Sequence, residues 1–66
     1  MNIDRIKIET ILAEKKMTRV NLSLTSGLTP QSISTIVRRG TCEPKTAGKL
    51  AAGLGVPVSD IIAKGV

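Results

Sequence analysis

Sixty-six residues make one domain at most, and a chain of this size buries only about 60% of its unfolded surface, so the core is thin and leaves no room for an enzyme cleft between domains. There is no His, a single Cys and no Phe, Tyr or Trp, which excludes a Cys/His zinc site, a His-dependent nucleophile and an internal disulfide, and removes the aromatic platforms on which single-stranded nucleic acids stack. Ten Lys+Arg against five Asp+Glu leave a net charge of +5, which points to an anionic partner. Asn2 or Asp4 is placed to cap a first helix running to about Lys16, with Ile8, Ile11 and Leu12 at i, i+3 and i+4 and a turn carrying Ile3 and Ile6 before them. Thr18 starts a second, short helix that ends before Gly27. Thr29 caps a third, with Pro30 at the first helical position, where its missing N–H costs nothing.

The third helix runs through Ile33, Ile36 and Val37, stops at Gly40, and gives way to a loop over Thr41–Pro44. The fourth shows Ala47, Leu50, Ala51 and Leu54 at i, i+3, i+4 and i+7, an apolar face interrupted by Gly48 and Gly53, each costing roughly 0.5–1 kcal/mol relative to Ala. Gly55 ends it. After Pro57 a short fifth helix is expected to carry Val58, Ile61 and Ile62 and to stop at Gly65. No stretch alternates with period two, so no strand is predicted. The expectation is a single compact all-α domain of five helices over residues 1–66. Met1-Asn2-Ile3-Asp4 does not read as a signal peptide and no apolar run approaches the ~20 residues needed to span a bilayer, so a cytoplasmic protein without a membrane partner is expected.

The charge is not spread evenly. Between Lys15 and Lys49 seven Lys and Arg face one acid, Glu43, a net +6, whereas the rest of the chain has three basic residues against four acidic ones, a net −1. Residues 19–38, inside that basic segment, have the spacing of a helix-turn-helix, two helices meeting steeply across a tight turn. Leu22 anchors the first helix. Ser23 is small where the backbones approach, Gly27 makes the turn four residues later, Leu28 is the turn's apolar residue, and Ile33 and Ile36 face inward from the second helix.

On these residues the chain resembles the lambda-repressor-like family of phage Cro and repressor proteins. The stretch MTRVNLSLTSGLTPQSISTIVRRG is similar to that family's second helix, turn and third helix, with the helix-turn-helix over about 18–39, and PKTAGKLAAGLGVPVSDII is similar to its ending. The chain departs from the family in three places: Arg19 stands where Gln is usual, Ser23 where Ala is usual, and Leu12 and Val37 where many members carry a paired Arg and Glu. Both charges are replaced together, so no unpaired buried charge is created, and Leu12 and Val37 are expected to touch.

The resemblance implies a sequence-specific regulator of transcription, a repressor that binds double-stranded DNA as a homodimer on a palindromic site; the residue inventory offers no catalytic, metal or cofactor site, and with no sensor domain no small-molecule effector is expected. It implies that the third helix enters the major groove and reads bases through Pro30, Gln31, Ser32, Ser34 and Thr35, with the Gln31 amide suited to a bidentate bond with adenine. Phosphate contacts are implied for Thr18 and Arg19 at the start of the second helix, Arg38 and Arg39 at the end of the third, and Lys45 and Lys49 beyond it. Val58, Ile61, Ile62 and Val66 exceed what so small a core needs, which suggests a dimer contact near the C-terminal helix. Cys42 lies in a loop among basic residues, which would lower a thiol pKa and favour reactivity, but it reads first as an inert loop cysteine. The competing reading is a protein-interaction module, an antitoxin or adaptor, that keeps the fold without reading DNA.

Overall fold

The structure is a computed structural model that describes residues 1–63. Asp4 begins the first helix, its Oδ1 accepting hydrogen bonds from the Ile6 and Lys7 amides at 3.0 and 3.2 Å and so satisfying donors that a helix start leaves open. Helix α1 spans Arg5–Lys15 and closes at Lys16, which takes the left-handed conformation without being glycine. A reciprocal capping box opens helix α2, Arg19–Ser26: Thr18 Oγ1 accepts from the Asn21 amide at 3.1 Å, and Asn21 Oδ1 accepts from the Thr18 amide at 3.0 Å. Gly27, at φ 78, ends it. Helix α3 is Pro30–Arg39, capped by Thr29 Oγ1 on the Ser32 amide at 3.1 Å, and Gly40 turns the chain out of it. Helix α4 is Pro44–Leu54, with Pro44 as its first residue rather than the end of a loop.

The fifth helix is not formed. In its place Val58–Asp60 make one turn of 3-10 helix, so the architecture of the described residues is four α-helices and that turn. The backbone beyond Asp60 is committed elsewhere: the Ile61 carbonyl accepts from the Asp4 amide at 2.8 Å, and the Ala63 amide donates to the Asn2 carbonyl at 3.1 Å. A helix would need those groups for itself. The expected stop at Gly65 lies outside the described residues. Ile3 is likewise not a helical turn. It is extended, forming an isolated antiparallel bridge with Ile62, while Asn2 bridges Thr41. Ile6 is helical but points to solvent, 70% exposed.

Twelve aliphatic side chains make the buried core: Ile3, Ile8 and Leu12; Leu22; Ile33, Ile36 and Val37; Ala47, Leu50, Ala51 and Leu54; and Ile61. Fully burying each large one contributes about 1.5–3 kcal/mol. Leu12 and Val37 both lie in this cluster. Met17, Leu28, Val56 and Val58 pack against its edge.

Two contacts fix the end of α2 against α4. Gly53 lies so close to Ser26 that an added Cβ would stand 2.6 Å from the Ser26 Cβ and 2.9 Å from its backbone, and Thr25 Oγ1 donates to the Gly53 carbonyl at 2.9 Å. Within the turn, Ser23 Oγ donates to the Leu28 carbonyl at 2.6 Å and Ser26 Oγ accepts from the Leu28 amide at 3.2 Å. The small residue at position 23 therefore does more than allow close approach: its hydroxyl ties α2 to the turn that leads into α3.

Candidate nucleic-acid interface

The apolar side of α3 is spent on the core through Ile33, Ile36 and Val37, which leaves the other side of an amphipathic helix polar and outward. Pro30, Gln31, Ser32 and Ser34 are exposed there and Thr35 is half-buried. The hydroxyls are held locally. Ser32 Oγ accepts from Thr29 Oγ1 at 2.9 Å, and Thr35 Oγ1 donates to the Gln31 carbonyl at 2.9 Å. The Gln31 carboxamide is engaged by no other described residue, so both its donor and its acceptor are available.

A cleft of about 520 Å³ runs between α3 and the start of α4. Gln31, Ser32, Thr35 and Arg39 line it, together with Thr29, Thr46, Cys42 and Glu43. Of the expected site residues, the structure thus brings Gln31, Ser32, Thr35 and Arg39 together. Arg38 is separated from them. One residue further along a helix turns the side chain by about 100°, and Arg38 lines a different recess, beside Ile3, Ile6 and Gly40. Lys45 and Lys49 are exposed one turn apart on α4 and line neither cleft.

At the other end of the helix-turn-helix, Thr18 is fully used by the cap, its hydroxyl donating to Asn21 Oδ1 at 3.0 Å as well as accepting from the Asn21 amide. Arg19 reaches across two helices: Nη1 donates to Ser34 Oγ at 3.2 Å, and Nη2 lies 3.4 Å from Glu9 Oε1 on α1. Sequence reasoning had not singled out Glu9 or Thr46. Both owe their place to how α1 and α4 pack beside the helix-turn-helix, and neither has a local sequence signal.

The expected dimer residues divide. Ile61 is fully buried in the core and presents no surface for a dimer contact. Val58 is half-buried and packs against that core, and Ile62 is half-buried at the bridge with Ile3. Val66 lies outside the described residues. The C-terminal apolar group is therefore largely the lid of the core, not a surplus.

The lowered thiol pKa that a basic loop would give Cys42 is not seen. Burial is the dominant influence and pushes its thiol up from the ordinary range; the N-terminal ammonium pulls the other way and Glu43 adds to the rise. The basic side chains nearby do not lower it. Among the described residues no group of three or more His, Cys, Asp or Glu is gathered to hold a metal, and no helix is long and apolar enough to cross a membrane.

Compared with known proteins, the chain matches no protein-family model, no curated protein and no solved structure.

Proposed function

We propose that this chain is a sequence-specific double-stranded DNA-binding regulator of transcription, a repressor-type domain of the lambda-repressor-like kind that acts as a homodimer. One observation carries the reading: a helix anchored by its apolar side offers Gln31, Ser32, Ser34 and Thr35 on its outward side, with Arg19 bonded to Ser34 and Arg39 lining the same cleft as Gln31, Ser32 and Thr35. A rigid helix of this kind fits the major groove, where polar side chains near its N-terminus meet base edges. In that pose Gln31 reads a base through its unengaged amide, Ser32, Ser34 and Thr35 offer hydroxyls, and Pro30 touches an apolar surface such as a thymine methyl. Arg39, Arg38, Lys45 and Lys49 neutralise phosphates, and Arg19 does so from α2. As a homodimer, each copy reads one half-site, the two lying about 34 Å apart.

Selection of bound sites from random duplexes tests this, with a palindromic consensus as the expected result. A dimer neutralising about six phosphates loses affinity with a log–log salt slope near −5. Gln31→Ala relaxes preference at one base pair by about 1–3 kcal/mol, whereas Arg38→Ala weakens all sequences alike. No duplex binding at low salt, or identical effects of both changes on selected and random DNA, defeats the reading.

A second reading, a protein-interaction module, has its own support. Val20 and Leu24 lie one turn apart on α2 and are 59% and 78% exposed. Flat salt dependence together with capture of a protein partner through these two side chains favours it.

A further inference from the structure

We propose that Glu9 on α1 is a positioning residue that restrains Arg19 and so lowers the affinity of the DNA-binding face for every duplex; this rests on the DNA-binding reading above. Among the described residues, Glu9–Arg19 is the one ion pair. Arg19 also donates to Ser34 on the polar side of α3, which sets its guanidinium at the rim of that face. A phosphate drawn to this guanidinium therefore meets a carboxylate already seated 3.4 Å away.

The pair is a loose one. Its side chains are 41% and 51% exposed, and solvent-exposed ion pairs hold only weakly. Arg19 is free to exchange one anion for another, but the exchange is not neutral. While Glu9 remains beside it, the local charge is near zero, and the arriving phosphate is repelled by the carboxylate as it is attracted by the guanidinium. Ser34 is affected with Arg19, because the same guanidinium holds its hydroxyl. The helix before the helix-turn-helix thus takes part in setting binding strength without touching the nucleic acid.

The test is fluorescence anisotropy of a labelled mixed-sequence DNA duplex with wild type, Glu9→Gln, Arg19→Gln and the double variant, each checked for intact helix content by circular dichroism. Glu9→Gln is expected to bind about three- to tenfold more tightly at low salt, with a salt slope steeper by up to about one. Glu9→Asp is expected to restore near wild-type behaviour. In the Arg19→Gln background the Glu9→Gln gain is expected to vanish. Unchanged or weaker binding by Glu9→Gln overturns the proposal while leaving the DNA reading intact. A gain that persists without Arg19 also overturns it, because Glu9 then acts only as one more negative charge. Failure of the wild type to bind any duplex at low salt overturns the DNA reading itself, and this inference with it.

Discussion

Helix α4 and the outward side of α3 are built on opposite rules. On α4 nearly every constraint is steric: Leu50, Leu54, Ala47 and Ala51 are buried, and Gly53 sits against Ser26 at a distance no side chain tolerates. On the outer side of α3 nothing is tightly packed. Its residues hold one another by short hydroxyl bonds, and Gln31 is left with hydrogen-bonding capacity unused. Close packing responds to single methyl groups, whereas an exposed polar side tolerates change without loss of fold. Stability and the proposed recognition are therefore assigned to different residues and can be altered separately.

The largest effect that tests this division is Leu50→Ala. Removing a fully buried leucine costs about 2–5 kcal/mol. A domain of this length holds roughly 0.05–0.15 kcal/mol per residue in total, so urea unfolding is expected to show most of the stability gone. Next comes Gly53→Ala, expected to destabilise by about 1–3 kcal/mol, because the new Cβ collides with the Ser26 backbone as well as its side chain. Gly48→Ala on the same helix has the opposite sign. A Cβ there meets nothing within 4 Å, and stability is expected to rise by about 0.4–1 kcal/mol in thermal melts. Smallest is Gln31→Ala, expected to leave the unfolding free energy within about 0.5 kcal/mol of wild type in the same measurement. If Gln31→Ala destabilised as much as Gly53→Ala, the outer side of α3 would be part of the packing and the comparison would fail.

The two glycines also mark where sequence reading stops. As residues in a helix both look like weak points, and only Gly48 is one. What makes Gly53 necessary is Ser26, far away in sequence, and no local pattern encodes that proximity. Features written in neighbouring residues were legible: the caps at Thr18 and Thr29, the first cap narrowed to Asn2 or Asp4, the proline that opens α3, and the glycines that close α2 and α3 each answer to a backbone need a few residues away. The C-terminal segment was misread for the opposite reason. Val58, Ile61 and Ile62 have helical spacing, but the carbonyl of Ile61 and the bridge at Ile62 are claimed by residues 3 and 4. At the candidate site, the polar side of α3 followed from its amphipathic pattern. The attachment of Arg19 to Glu9 did not, since it depends on where α1 comes to rest.

The pairing of residues 2–4 with residues 61–63 has a consequence for the order of folding. Joining these segments closes a loop of nearly the whole chain, and that closure costs about 4 kcal/mol of entropy by the logarithmic scaling with length. The segment from α2 through the turn to α3 needs no such reach, because its contacts are local and local contacts form quickly. The bundle is thus expected to assemble first and the ends to be sewn together afterwards. Because the Cys42 amide donates to the Met1 carbonyl at 3.0 Å, this last stitch also tethers the loop that follows α3. The seal at the chain ends and the rigidity of that loop are then gained, and lost, as one event.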